Sequence, residues 1–152
     1  MNKPNSPRNR FWSLGQSAVE FGIAVPILAV LLVAASDFAR VFFFSIAVNN
    51  AARAGAQYGS QNVINAKDTS GMQTAATNDA SNVPGITAVA SSCTCAASTT
   101  VTNCGSSYNC ADYPKATFVE VDTSATFNTI VNYPGLANSF SLTGKAILPV
   151  QP

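Results

Sequence analysis

The most prominent feature of the hydrophobic pattern is an apolar run from Phe11 to Ala35, in which Glu20 is the one charged residue. A helix of about 20 apolar residues is long enough to cross the hydrocarbon core of a bilayer. The run therefore predicts a transmembrane helix. Pro26 lies inside it, and because proline lacks the backbone N–H of a regular helix, we expect a helix kink at this position.

The helical pattern continues past this run as an amphipathic segment from Asp37 to about Gly59. Small residues in its second half allow close packing against another element. We expect this face to pack on the C-terminal part of the same chain or on neighbouring subunits, and Gly59 is predicted to end the helix. The positions of the face recur at spacings of three and four: Phe38, Val41, Phe42, Ser45, Val48, Ala52 and Gly55.

The C-terminal part shows the two-residue period of β-strands. Strands are predicted at 86–91, 116–131 and 139–148, and a short helix at 74–80. In the second strand, Val119 and Val121 face one way while Glu120 and Asp122 face the other, as in a sheet with one solvated side. The predicted fold class is α+β, with a long N-terminal transmembrane helix followed by a small antiparallel sheet of three or four strands.

Charge is sparse and unevenly placed along the chain. Charged residues make up 10% of the 152 residues, and Lys3, Arg8 and Arg10 all precede the apolar run. Basic residues keep their end of a transmembrane helix in the cytoplasm. We therefore expect a basic leader at 1–15, whose first ten residues are disordered, a transmembrane and amphipathic helix at 16–59, and an extracytoplasmic β-rich domain at 60–152.

Four cysteines lie close together in that domain: Cys93, Cys95, Cys104 and Cys110. An even number in a short exported chain predicts two disulfides, whereas a structural zinc site is disfavoured because no C-x-x-C pair is present. Two positions apart in a strand, Cys93 and Cys95 are separated by about 7 Å, which is too far for a bond. Each is expected to pair with Cys104 or Cys110. The nested pairing, Cys95 with Cys104 and Cys93 with Cys110, is preferred over the crossed one.

The composition argues against catalysis and against cofactor binding. The chain contains no His, the commonest general base and metal ligand. Its Ser, Asp, Glu and Lys residues show no spacing typical of a nucleophile and a base. We predict no enzyme activity, no cofactor and no metal site, and the net charge of +1 gives no indication of a nucleic-acid partner.

Glu20 is the candidate functional residue of the apolar run. A charge at the centre of a bilayer costs about 2.5–3.5 kcal/mol, and less near an edge, so its presence indicates a function. If the chain is cut after Gly15, Gln16 acquires an N-terminal ammonium group. Gln16 and Glu20 are four apart and share a helix face, so the ammonium group and the carboxylate are placed to pair within or between subunits.

Gly15, followed by four residues and Glu20, resembles the prepilin cleavage motif. The run GQSAVEFGIAVPILAVLL that begins at Gly15, the DFAR sequence at 37–40 and the NAARAGAQY sequence at 50–58 resemble the TadE-like family, which are pseudopilins of the tight-adherence (Flp) pilus machinery, related to type IV pili. The resemblance covers about residues 13–60. A looser likeness extends into the tail.

This resemblance implies a minor pilin or pseudopilin that a prepilin peptidase processes between Gly15 and Gln16, with Glu20 needed for recognition or assembly. It also implies a bacterial inner-membrane location, with incorporation into a pilus as a further possibility. The implied partners are the peptidase, other pilin or pseudopilin subunits, the pilus assembly platform and the lipid bilayer. Many prepilins carry an aromatic residue or Met at the first mature position and methylate it. Gln16 departs from this pattern, and an N-terminal Gln can also cyclise and lose its charge.

The alternative function is an exported binding module with a conventional signal peptide. Small residues before Ala35 provide a plausible signal-peptidase site. Glu20 inside the apolar region of that signal, and the helical pattern that continues beyond Ala35, count against it. The mature N-terminus distinguishes the two functions, since it is Gln16 in the first and about Ser36 in the second.

Overall fold

The computed structural model describes residues 10–96, 104, 115–131, 135 and 137–151. Its elements are α1 (Arg10–Ser60), α2 (Val63–Lys67), α3 (Thr69–Asp79), β1 (Thr87–Ala96), β2 (Lys115–Asn128) and β3 (Ser139–Pro149). This order confirms the predicted α+β class. The chain divides into two compact units, Met1–Ala39 and Arg40–Pro152, which we describe separately. The predicted disorder of residues 1–10 falls outside the described residues except at Arg10, which begins α1.

The first unit contains the apolar part of α1. Its most apolar window of 18 residues has a mean hydropathy of 2.4 and no buried residue, so by length and composition this helix is able to cross a membrane. The predicted apolar helix is therefore confirmed. Pro26 lies inside α1 without ending it, and the kink at this position stays a prediction.

In the second unit, the remainder of α1 packs on a three-stranded antiparallel sheet in the order β1-β2-β3. Val119 and Val121 of the central strand are completely buried and form part of the core with Met72 of α3. Glu120 and Asp122 point to the opposite face, on which Asp122 pairs with Lys145. The predicted alternation along β2 is confirmed, but the prediction that its second side is solvated is wrong at Glu120, which is buried.

Glycines on α1 allow the helix to approach the rest of the second unit closely. A Cβ atom added to Gly55 would lie 2.7 Å from the carbonyl oxygen of Met72, and one added to Gly59 would lie 2.3 Å from the Met72 sulfur. Neighbouring Ala51 and Ala52 are completely buried as well. Of the two expectations for this face, packing on the same chain is thus confirmed for its small residues.

For the larger side chains of the predicted face, packing on neighbouring subunits stays a prediction, and the described part of the chain does not cover Phe42. Its side chain is 61% exposed, whereas Phe44 packs into the core beside Val48. Within the second unit, Phe42 lies on another side of α1 than the buried Val48, which packs together with Phe44, four residues earlier.

Strand β2 runs antiparallel to the end of α1 on which it packs. Its core positions meet helix positions in reverse order: Val121 lies beside Gly55, Thr123 beside Val48 and Phe127 beside Phe44. The Thr123 hydroxyl donates to the Val48 carbonyl oxygen at 2.7 Å. The Arg40 guanidinium lies 5.1 Å from the Phe127 ring centroid. The end of β2 therefore lies near Arg40, at the start of the part of α1 that belongs to this unit.

The two short helices between α1 and the sheet begin at side-chain caps. Asn62 accepts a hydrogen bond from the Asn65 backbone N–H at 2.8 Å, and Asp68 accepts one from the Gly71 N–H at 2.9 Å. Helix α2 was not predicted because it has only five residues. Helix α3 begins before the predicted segment 74–80, at the residue that follows the Asp68 cap.

The structure corrects the disulfide prediction. Cys93 bonds to Cys104, with their Cα atoms 5.2 Å apart, so the preferred nested pairing is wrong and this bond is one of the crossed pairing. That preference assumed a hairpin between the cysteine segments, but β1 pairs with β2 instead, and the Cys104 N–H donates to Glu120 of β2. The predicted second disulfide is not shown, since Cys110 and the side chain of Cys95 lie outside the described part.

Candidate processing and assembly segment

The predicted processing segment is an exposed stretch of regular helix. Gly15, Gln16 and Glu20 all lie in α1, and their surfaces are open to the surroundings. The Gln16 side-chain nitrogen donates to a Glu20 carboxylate oxygen at 3.3 Å. The structure thus brings Gln16 and Glu20 together on one helix face, as expected for residues four apart.

Gly15 has no packing role among the described residues. A Cβ atom added there would meet nothing within 4 Å, and the same holds for Gly22 in the same unit. Because Gly destabilises a helix interior by about 1 kcal/mol relative to Ala, each of these glycines is a weak point of α1. Neither the backbone conformation nor close packing explains a glycine at position 15.

Helix α1 begins at Arg10, so the bond between Gly15 and Gln16 lies within the helix. The sequence prediction began the helix at residue 16 because the preceding residues were assigned to the leader. In a regular helix, the N–H and C=O groups around this bond are engaged in hydrogen bonds four residues apart. An enzyme that cuts here must therefore unwind the helix locally.

The apolar surface of the first unit is the second part of this candidate site. Large side chains point outwards all round the helix and nothing among the described residues covers them: Val19, Phe21, Ile23, Ile27, Leu28, Val30, Leu31 and Leu32. A helix that is apolar on all sides requires an apolar environment. The arrangement fits a lipid bilayer or the apolar helices of partner subunits.

A polar cluster on the outer face of the sheet was not identified from the sequence. Glu120 is only 2% exposed, accepts a hydrogen bond from the Cys104 N–H and forms an ion pair with Lys145. Lys145 also lies 3.5 Å from Asp122. The period of β3 would have placed Lys145 on this face, but sequence spacing does not reveal its pairing with Glu120.

The environment of this cluster changes the pKa values of its members. Burial raises the pKa of Glu120, but the hydrogen bonds from Lys145 and from the Cys104 N–H outweigh this effect and lower it overall. Burial and the neighbouring Glu120 raise the pKa of Asp122, and the hydrogen bond to Glu120 raises that of Lys145. All these interactions are internal to the domain, which indicates a structural role for the cluster.

Metal binding finds no support in the part of the chain that the structure describes. Within those residues, no three His, Cys, Asp or Glu side chains are grouped as a metal site requires. Cys93 and Cys104, two of the four cysteines that the disfavoured zinc site would have needed, are bonded to each other.

Comparison with known proteins finds a likeness that is confined to the helical segment. The sequence model of the family described as TadE-like protein matches residues 15–57. The predicted TadE-like resemblance is thus confirmed for this segment, and it indicates a pilin-like component associated with a Tad pilus. No curated protein and no solved structure matches the chain.

Proposed function

From the TadE-like character of residues 15–57, we propose that this protein is a minor pilin or pseudopilin-like structural component of a tight-adherence pilus. In this proposal, it is made as a precursor and a prepilin peptidase cuts it between Gly15 and Gln16. The mature chain keeps its apolar helix, which anchors it in the bacterial inner membrane and contacts other pilin-like subunits and the assembly platform.

The extent of the family match is the observation that carries this proposal. The match begins at Gly15 and continues to residue 57, on both sides of Ala35. A signal peptidase acting near Ala35 would divide the matched segment and remove its apolar half. Processing at Gly15 keeps the matched segment whole except for that glycine.

The distribution of charge and of cysteines supports the proposed topology. The basic leader stays in the cytoplasm by the positive-inside rule, which places the C-terminal domain outside it. The bond between Cys93 and Cys104 agrees with this location, because disulfides persist mainly in oxidising compartments.

The proposed cleavage is a hydrolysis of one peptide bond. Water adds its hydroxyl group to the Gly15 carbonyl carbon, the C–N bond breaks, and the Gln16 nitrogen takes up protons to become an ammonium group. Because the Gln16 side chain already contacts Glu20 at 3.3 Å, the new charge arises one helical turn from a carboxylate. Glu20 then lies near the start of the shortened helix, where the helix dipole favours negative charge.

Two matched glycine variants test the processing step. We expect Gly15→Val to accumulate the uncut precursor in cells that contain the peptidase, because a side chain is then placed beside the bond to be cut. Gly22→Val introduces the same side chain at an equally open helix position and should be processed like the wild type. Intact mass of the membrane fraction distinguishes the precursor from the mature chain. Normal processing of Gly15→Val would contradict the proposed site.

A third variant tests the role of Glu20 after the cut. Glu20→Gln keeps a polar side chain that is able to contact Gln16 but has no charge to pair with an ammonium group. We expect this variant to be inserted in the membrane and to assemble poorly with other subunits, as measured by crosslinking in the membrane. A mature chain with cyclised Gln16 that assembles normally would exclude the pairing of ammonium and carboxylate.

A further inference from the structure

We propose that the two free edges of the sheet join neighbouring copies of this chain, with β3 of one copy pairing in parallel with β1 of the next. The interaction surface is the backbone of these two edge strands, and its occupant is a second copy of the same chain. This inference rests on the membrane anchoring in the proposed function, because that anchoring gives all copies the same orientation.

Strand β3 leaves every second residue's backbone groups unpaired by the described residues. The Val150 N–H donates to the Thr117 carbonyl oxygen at 2.8 Å, one position beyond the last pair of the β2–β3 register. In an antiparallel pair, residues that exchange hydrogen bonds alternate with residues that do not. Counting back from Val150 along the register, these residues of β3 direct their N–H and C=O groups away from β2: Ser141, Thr143, Lys145 and Ile147.

Strand β1 has a free edge of the same kind. Because every second residue of β2 faces β3, the residues between them face β1, where Asp122 and Ser124 lie opposite Val89 and Thr87. The alternate residues of β1 direct their backbone groups away from the sheet: Ala88, Ala90, Ser92 and Thr94. No described strand pairs with either edge, since the sheet has the order β1-β2-β3.

Neither edge strand carries the features that prevent unwanted strand pairing in other proteins, which are charges, prolines, bulges and very short strands. Strands β1 and β3 have 10 and 11 residues, and their registers with β2 continue without a skipped residue. The one charge in the two strands is on Lys145, whose ammonium group is paired with Glu120. Pro149 lies at the last position of β3. Among the described residues, nothing therefore blocks another strand.

The direction of the strands identifies unlike edges as the partners. Strands β1 and β3 both run antiparallel to β2 and hence parallel to each other, and β3 has the same direction as residues 40–60 of α1. If β3 paired with β3 in opposite directions, residue 40, to which the apolar half of each helix is attached, would lie at opposite ends of the joined sheet. If β3 paired with β3 in the same direction, one sheet would be turned over. Pairing of β3 with β1 keeps both the direction and the face of every copy.

Copies joined by unlike edges stay open to further growth. Each copy uses β3 towards one neighbour and β1 towards the other, and such a head-to-tail interface generates a ring or a helical filament. Copies anchored in one bilayer with their N-terminal ends on the same side meet in this relation without reversal of either chain. A pilus-like assembly of subunits with one orientation agrees with this geometry.

The rows of the sheet indicate which side chains meet across the contact. Thr87, Ser124 and Thr143 form one row across the three strands. A straight continuation of the sheet therefore brings Thr143 of one copy beside Thr87 of the next. In the following row, Lys145 comes beside Val89 of the next copy. No like charges meet, because β1 has no charged residue.

Two proline variants test the pairing, because proline removes a backbone N–H and is tolerated on an edge strand where that N–H points outwards. Thr143→Pro removes such an N–H from β3, and Ser92→Pro removes one from β1. The matched controls Thr143→Val and Ser92→Ala keep it. Near-UV circular dichroism and mass mapping of the bond between Cys93 and Cys104 verify that each variant is folded.

A photoreactive p-benzoylphenylalanine in place of Val89, which is 65% exposed, detects the contact in full-length chains reconstituted in phosphatidylcholine and phosphatidylglycerol vesicles. We expect irradiation to join the otherwise unchanged chain to a second copy within Ser139–Pro149, as read by gel electrophoresis and mass mapping of the joined chains. Thr143→Pro and Ser92→Pro, each alone, should lose this product. The matched controls should keep it.

A mixture of the two blocked chains distinguishes this pairing from the pairing of like edges. Thr143→Pro chains that carry the photoreactive residue keep a free β1 edge, and Ser92→Pro chains without that residue keep a free β3 edge. We expect the mixture to restore a product of two chains and to give no larger one. Pairing of β3 with β3 would give no product in this mixture.

Each contrary outcome overturns the inference in its own way. If the unblocked chain resists alkaline carbonate extraction from the vesicles but forms no product with Ser139–Pro149, the anchoring stands and the edge pairing is wrong, a result that does not depend on the proline variants. If the chain is extracted, the proposed anchoring fails and the inference fails with it. If folded Thr143→Pro keeps the product, a contact other than strand pairing joins the copies.

Discussion

The two parts of α1 differ in whether the rest of the chain covers their apolar side chains. In residues 15–39, large side chains such as Leu32, which is 72% exposed, are left uncovered by the described residues. In residues 40–60, small residues such as Ala52 and Gly55 are buried against the domain that follows. One continuous helix thus combines a surface that requires an apolar environment with a surface that its own chain covers.

The comparison shows that side-chain size distinguishes the two roles better than hydropathy does. Close approach to a sheet requires glycine or alanine on the helix, because the neighbouring backbone occupies the space of a larger side chain. Contact with lipid sets no such requirement, and large side chains fill a fluid environment equally well. Glycine therefore has different consequences at Gly55 and at Gly22, and this difference can be tested directly.

The largest expected effect is on the packed part of the helix. Gly55→Val places a side chain against the Met72 carbonyl oxygen, Ala76 and Val121, and overpacking of this kind costs typically 1–3 kcal/mol and occasionally more. We therefore expect the free energy of unfolding of the domain to decrease by about 3 kcal/mol. Near-UV circular dichroism of the full chain in detergent measures this unfolding.

Gly22→Val is the control for this change, because a side chain at position 22 meets nothing within 4 Å. It should alter domain stability by less than about 0.5 kcal/mol, as surface substitutions usually do. Equal effects of the two variants would mean that the domain does not pack on residues 40–60 as described.

The second largest effect concerns the bond between Cys93 and Cys104, which joins Cys104 to strand β1. Replacing both cysteines by serine removes a crosslink that closes a short loop. Loss of such a crosslink costs about 2–3 kcal/mol in the chain-entropy account. Thermal unfolding of the double variant should show a lower Tm than that of the wild type.

Peptide mapping without reduction gives the control for that prediction. The wild type should yield a crosslinked peptide pair that contains Cys93 and Cys104. Recovery of Cys95 bonded to Cys104 would restore the nested pairing and contradict the position of Cys104 beside Glu120.

A smaller effect is expected at the hydrogen bond between Thr123 and α1. Thr123→Val keeps the shape of the side chain but removes the donor to the Val48 carbonyl oxygen, which then keeps only the hydrogen bond that it accepts within α1. A typical intramolecular hydrogen bond contributes about 1 kcal/mol, so we expect a loss of about that size in denaturant unfolding. Thr126→Val, at an exposed position of the same strand, should be nearly neutral. A loss equal to that of Thr123→Val would indicate a general β-strand effect.

The smallest effect is a dependence of stability on pH that comes from Glu120. Its pKa is lowered in the folded chain, so its charged form stabilises the fold above the pKa of the unfolded chain. This contribution is lost as the pH falls through the lower, folded pKa. Asp122, whose pKa is raised, opposes the effect and makes the net change small.

Glu120→Gln tests this assignment in Tm measurements of the full chain at pH values from neutral to strongly acid. The variant should be less stable than the wild type at neutral pH, and the difference should shrink at low pH as Glu120 of the wild type becomes protonated. A difference that stays constant with pH would show that the charge of Glu120 does not contribute.

Features with a local periodic signal could be predicted from the sequence. The apolar run, the alternation from Val119 to Asp122 and the shared helix face of Gln16 and Glu20 each depend on residues close in sequence. Their periods of two and 3.6 residues therefore indicate structure without knowledge of the rest of the fold.

Contacts between distant residues could not be predicted in this way. The choice of Cys104 as the partner of Cys93 depends on Glu120, whose carboxylate binds the Cys104 N–H across 16 positions of the sequence. The exposure of Phe42 depends on which side of α1 meets the sheet. Spacing alone leaves both questions open, because several arrangements satisfy the same hydrophobic pattern.

The most direct test of the central claim is the mature N-terminus of the protein, read by intact mass and peptide sequencing of membrane fractions from cells with and without the prepilin peptidase. The account predicts a chain that starts at Gln16 in the presence of the peptidase and keeps the leader in its absence. A mature chain that starts near Ser36 in both cells would contradict it and would identify an exported domain with a conventional signal peptide.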